Sequence, residues 1–334
     1  MKKIILAAMA FAALAACTKE TTVDVAREEI AFGNAFVDNA TKADAATDPS
    51  YSTTTGKGVA LQQFNVYGAV NGVNIFNGNT VSKGYADYGS AWTLTGAKQY
   101  WIAGADYKFV GVVDGNKKVG ETVVTKTNLD DAGLPLTIEY TADGATDLLC
   151  DVVTVNNAGF DKDGNNIDYS VVAFNYTHLL SKINFAVKNT TASDASNYRF
   201  VLTSAKLTNV RESGVYGVDA DAWTPGSKTS EFVLENLTIN SAATQYHSQE
   251  VLLIPGSQVG VYVKADIEAS DDNGTTWKNV SEVEKTFDNV VTLAKSTAYN
   301  FIVELSVGNE IQFTATAMPE WTDGDPNGGT ILNN

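Results

Sequence analysis

Apolar residues recur along this chain at every second position, not at the spacing of a helix face. Phe64-Asn65-Val66-Tyr67-Gly68 and Tyr107-Lys108-Phe109-Val110-Gly111-Val112 predict short strands. Ile183-Asn184-Phe185-Ala186-Val187 alternates cleanly, as do residues 259–265, 299–305 and Ile311-Gln312-Phe313-Thr314-Ala315. Turn signals rich in Gly, Asn and Asp punctuate these runs, at Asn77-Gly78-Asn79, Asp114-Gly115-Asn116, Asp163-Gly164-Asn165 and Asp272-Asn273-Gly274. No capped amphipathic helix of three turns stands out. Many short strands at this spacing predict an all-β chain built from β-sandwiches.

Two soft stretches interrupt the pattern. Residues 38–60 are rich in Ala, Thr, Ser and Asp, with a Pro and two Gly, and read as an exposed linker. Residues 156–168 carry Asp161-Lys162-Asp163-Gly164-Asn165-Asn166-Ile167-Asp168 and precede a return to strand pattern at Tyr169. They divide the chain into an N-terminal sandwich, 43–168, and a C-terminal sandwich, 169–334.

The first 16 residues have the form of an export signal. Lys2 and Lys3 precede an uncharged, mostly apolar run from Ile4 to Ala16 that is too short to span a bilayer. Leu14-Ala15-Ala16-Cys17 ends it as a bacterial lipobox, which makes Cys17 the expected acylated N-terminus and the lipid the attachment to the outer membrane. Without Lys2 and Lys3 the chain has 21 basic against 39 acidic residues, a net of −18. That balance argues against nucleic acid as a partner, because binding there rests on basic patches.

The catalytic inventory is thin, so an enzyme is not expected, nor a cofactor. The two histidines, His178 and His247, belong to no Cys/His cluster with metal spacing. His178 reads as a structural histidine near a strand end. Cys150, with Cys17 acylated, has no disulfide partner and reads as a small buried hydrophobe. Gly56-Lys57 lacks the rest of a phosphate loop. The 161–168 stretch resembles part of a calcium loop but lacks its full ligand order, and a hairpin tip fits it better. Five tryptophans, Trp92, Trp101, Trp223, Trp277 and Trp321, are core candidates. Trp277, just after a turn, is the one most suited to an exposed sugar-stacking role.

Several stretches together resemble the fimbrillin family of Bacteroidetes, the lipoprotein pilins of type V pili. They are residues 64–68; Gln99-Tyr100-Trp101 with Ala105-Asp106-Tyr107-Lys108-Phe109-Val110-Gly111; Phe174 to Phe185; Leu252 to Gly256; residues 299–305; and Ile311-Gln312-Phe313 with Trp321 beyond. The resemblance implies two transthyretin-like β-sandwich domains in tandem. It also implies assembly with other fimbrial subunits by strand exchange, after an arginine- or lysine-specific surface protease removes the lipidated propeptide, here 17–42, with its first strand. Ile30, Phe32 and Phe36 share one parity and form the candidate removable strand. Lys42-Ala43, in the soft linker, is the candidate scissile bond. Arg27 is the rival, but a cut there would leave the strand attached. The alternative function is a monomeric surface lipoprotein or pilus-tip adhesin that binds a glycan or host ligand.

The sequence carries an internal echo as well. Glu310-Ile311-Gln312-Phe313 repeats the Glu-Ile-x-Phe order of Glu29-Ile30-Ala31-Phe32 at the same parity. A replacement strand must present the same parity, because a one-residue slip reverses its faces. Residues 310–318 are therefore the candidate donor strand, with Ile311, Phe313, Ala315 and Ala317 on one face.

Overall fold

The computed structural model describes residues 28–37, 63–82, 92–114, 125–159, 169, 171–191, 197–234, 236–239, 245–272 and 274–318, with backbone alone for 34–37 and 245–249. Cys17, Lys42, Ala43, Trp321 and the 161–168 stretch lie outside the described residues, as does the Phe36 side chain. The described residues form twenty strands, numbered in chain order, and no α-helix. The chain is all-β, as its periodicity predicts.

The first sheet has seven strands in the order β1 (Phe32–Val37), β9 (Val172–His178), β8 (Leu148–Val155), β5 (Tyr107–Asp114), β2 (Gln63–Val70), β3 (Val73–Ser82) and β4 (Thr93–Leu94). β1 pairs parallel to β9, whereas the other neighbours are antiparallel. Five strand spacings separate β1 from β3, about 24 Å in a flat sheet. Yet the rings of Phe32 and Phe76 lie 5.5 Å apart. The sheet is thus rolled almost into a barrel around Phe64, Phe76, Phe109, Phe174 and Tyr176. Gly111 makes room for this packing, since a Cβ there would stand 2.3 Å from the Tyr176 hydroxyl.

A four-stranded sheet, β6 (Thr125–Leu129), β7 (Pro135–Thr141), β12 (Ser213–Gly217) and β13 (Ala222–Pro225), joins strands from both halves of the chain. Between it and the outer face of the rolled sheet lies a second core, with Val110, Val112, Ile138, Tyr140, Leu148, Cys150, Leu179 and Tyr216. The Trp223 indole donates to the Leu179 carbonyl at 2.6 Å, at the two-residue junction between β9 and β10 (Ser181–Asn189).

The remaining strands form a sandwich. One layer is β16 (Gln245–Leu253), β10, β19 (Ala298–Leu305) and β20 (Gln312–Met318), with β10 and β19 parallel. The other is β14 (Thr229–Val233), β11 (Tyr198–Arg211), β17 (Gln258–Ala269) and β18 (Lys278–Thr292), with β15 (Thr238–Ile239) beside β11. Phe185, Phe200, Leu202, Val261, Val263, Phe301 and Val303 fill the space between them.

Two sequence expectations change. The division at 168/169 falls before β9, which hydrogen-bonds β8 in the first sheet, and the β12–β13 hairpin returns to the first half. Asn77-Gly78-Asn79 lies within β3 at a bulge rather than at a turn. The turn is Asn71-Gly72, whose φ values of 47° and 77° suit a tight hairpin.

Candidate assembly groove

The first described segment, 28–37, lies in a slot with two walls. Its Glu28 and Ile30 backbone groups face residues 99–101: the Ile30 amide donates to the Gln99 carbonyl and the Trp101 amide to the Glu28 carbonyl, both at 2.9 Å. The opposite edge faces β9, where the Val172 amide donates to the Ala31 carbonyl at 2.9 Å and the parallel register runs from Phe32/Val172 to Val37/Tyr176. This segment closes the rolled sheet.

The slot floor is aromatic. Ile30 and Phe32 are buried, and Phe32 meets Phe76, Phe109, Phe174 and Phe64 at ring separations of 5.5, 6.1, 6.3 and 6.4 Å. Trp101 stacks on Tyr169 at 5.5 Å and meets Tyr107 at 4.7 Å. Burial raises Tyr107 above the ordinary phenol range, and its hydroxyl accepts the Ile102 amide. Burial raises Tyr176 strongly too, and its hydroxyl has no hydrogen-bond partner among the described residues. At the solvent side Glu29 pairs with Lys98 at 2.5 Å, a hydrogen bond that raises the lysine further.

The structure brings Ile30 and Phe32 to one site and pairs the Phe36 backbone with Asn175 on β9. The candidate donor segment sits elsewhere, as the edge strand β20 on β19, in unbroken antiparallel register. Ile311 is buried, and Phe313 packs on Phe301 and Phe287 at 5.2 and 5.3 Å. Ala315 and Ala317 are exposed. Both echoed segments therefore turn their Ile and Phe inward from a sheet edge. Periodicity did not reveal that residues 99–101 form the second wall, although Gln99-Tyr100-Trp101 was among the stretches that carry the family resemblance.

The other candidates resolve into packing. His178 Nδ1 lies 2.7 Å from Asp147 Oδ2, with both side chains buried at the β9–β10 junction. Cys150 is buried, and desolvation pushes its thiol up to about 12. Trp92 packs on Phe64, Trp101 lines the slot and Trp223 anchors the junction. Trp277 is half-buried beneath the Arg199 guanidinium, 4.6 Å from the ring centroid. The His247 side chain lies outside the described residues. Among the described residues no group of His, Cys, Asp and Glu is arranged to hold a metal ion.

A rolled sheet closed by an edge strand, followed by a sandwich, defines a tandem all-β protein whose first strand is held by its neighbours' edges. The family model described as fimbrillin-like matches residues 34–321, and the chain belongs to that family. Its fold is similar to the crystal structure of a fimbrial protein from Bacteroides vulgatus ATCC 8482, at 13% identity and a TM-score of 0.53, covering 76% of this chain and 92% of that one. A putative cell adhesion protein from Bacteroides uniformis ATCC 8492 is similar at 15% identity and a TM-score of 0.49, covering 78% of this chain and 91% of that one. Another, from Bacteroides ovatus ATCC 8483, gives 15% identity and a TM-score of 0.48 over 90% and 99%. Among curated proteins, none matches the chain.

Proposed function

We propose that this chain is a non-enzymatic subunit of a bacterial surface fimbria that polymerises by strand replacement. It is exported as a lipoprotein acylated at Cys17 and carried to the outer membrane surface. An arginine- or lysine-specific protease cuts between Lys42 and Ala43, and the segment holding Ile30, Phe32 and Phe36 departs. A strand from another subunit then fills the slot, with residues 310–318 as the candidate donor. Membership of the fimbrillin-like family supports the fimbrial role.

The observation that carries the mechanism is the two-walled slot around residues 28–37. Its loss would free the Trp101 and Val172 amides and the Gln99 carbonyl along both walls. It would also uncover the seats of Ile30 and Phe32, each worth roughly 1.5–3 kcal/mol of burial. Unpaired edges above an apolar floor are what an added strand satisfies. The contact is head-to-tail and does not close on itself, so it propagates. Residues 310–318 can serve only by leaving β19, and the burial of Ile311 and the Phe313 contacts oppose that departure. Their inward Ile and Phe match the chemistry of the slot.

The intact mass of the chain recovered from the cell surface tests this reading. A mature N-terminus at Ala43 is expected. A population made up wholly of acylated Cys17 chains would exclude strand replacement for this subunit.

A further inference from the structure

The outer face of the rolled sheet is only partly covered by the four-stranded sheet. Coverage ends where Val110, Leu148 and Cys150 meet Ile138, Tyr140 and Tyr216. One residue pair further along β8, Val152 is 37% exposed. Val171, beside β9, is 52% exposed, and Tyr100 and Ile102 beyond the slot are 40% and 56% exposed. Ala31, Gly33 and Ala173 lie between them; Ala31 and Ala173 are exposed, and a Cβ on Gly33 would stand 2.8 Å from Val171 Cγ1. Two charge pairs border this strip, Glu29 with Lys98 at one end and Lys108 with Asp219 at the other.

We infer that this strip is a second contact surface of the fimbrial joint, covered by the body of the neighbouring copy of the same chain. The inference rests on the strand-replacement reading and extends it. Residues 99–102 and 171–173 build both the slot walls and the strip, so a strand seated in the slot becomes the strip's central stripe. The molecule that supplies that strand is thereby tethered beside the strip. Charge limits where that neighbour can rest. Residues 43–334 hold 18 basic and 34 acidic residues, a net of −16, so two copies repel over most of their surfaces. They approach at least cost where apolar groups face out, as along this strip.

The test separates the strip from the slot. The Val152→Glu variant alters the strip on β8 and changes no residue of the slot walls, which are residues 99–101 and β9. Full chains of wild type and variant are cut after Lys42. Each is then assayed for uptake of a labelled synthetic peptide of residues 28–37 and for growth of subunit ladders. The expected result is unchanged peptide uptake with ladder growth reduced about tenfold or more, since well-buried contact residues carry most of such an interface. Unchanged ladder growth would overturn the inference and leave strand replacement standing. Equal loss of peptide uptake and ladders would overturn it by showing that Val152 acts through the slot. Normal ladders, with weaker retention of the uncut, acylated variant on phosphatidylethanolamine vesicles, would assign the strip to the membrane instead. If wild type neither takes up peptide nor forms ladders, the strand-replacement reading fails and this inference with it.

Discussion

Replacing Phe32 by alanine in the full chain removes the side chain that links four strands of the rolled sheet. The ring touches Phe64 and Phe76 on β2 and β3, Phe109 on β5 and Phe174 on β9. Deleting a buried Phe side chain costs about 3–5 kcal/mol, depending on how far the cavity collapses. Collapse is restricted here because each surrounding ring is fully buried and held on its own strand. The expected loss is therefore about 4 kcal/mol, in the middle of that range. Urea unfolding followed by tryptophan fluorescence reads it directly, since Trp92 and Trp101 sit in or against the same core. A double-mutant cycle with Phe174→Ala should return a coupling of about 0.5–1.5 kcal/mol for the stacked pair. A Phe32→Ala loss below about 1 kcal/mol, the size of an ordinary substitution, would refute the claim that this strand plugs the core.

Gly111→Ala should destabilise the chain by about 1–3 kcal/mol in thermal or urea unfolding, because the new methyl meets the Tyr176 hydroxyl; a neutral result would contradict the packing. Trp223→Phe loses the bond to Leu179 and should cost about 0.5–1.5 kcal/mol. Because β12 and β13 bind the two halves together, wild type should unfold in a single transition, and a well-separated double transition would count against that coupling. The Cys150 thiol, pushed up to about 12, should resist iodoacetamide at pH 8 in the folded chain and react once the chain unfolds. The unfolded thiol loses its proton from about pH 8.5 while the folded one keeps it, so its contribution is complete below that pH and is lost as pH rises toward 12. Tyr140 and Tyr216, also raised by burial, act in the same direction at higher pH. A urea midpoint that stays flat from pH 8 to pH 11 would refute this.

Strands whose side chains alternate against one core were legible from local pattern: β2, β5, β17 and β19 appear where period two places them. Ile30 and Phe32 also showed their shared parity, because burial on one face is a local signal. β18 did not, since its fifteen residues carry Glu282, Glu284, Lys285 and Asp288 on an exposed edge, with bulges in its register. Such an edge is suited to solvent rather than to a core. The return of β12 and β13 to the first half depends on long-range pairing with β7, which no window of sequence contains. The same limit applies to the slot, whose walls come from residues 99–101 and β9, far apart in the chain. The shared parity of Ile30 and Phe32 was legible locally, and only the fold shows the walls on either side of them.

The central claim is that the slot changes occupant from the chain's own segment 28–37 to a strand of another subunit. Its most direct test is to cut the purified full chain with a lysine-specific protease and follow fragment release and subunit size together. Mass spectrometry maps the cut, and native electrophoresis follows the ladder. Ladders should grow only as the fragment containing Ile30 and Phe32 dissociates, and excess peptide 28–37 should stop them. Ladders that form with that fragment still bound, or a chain that loses it and stays monomeric, would contradict the account.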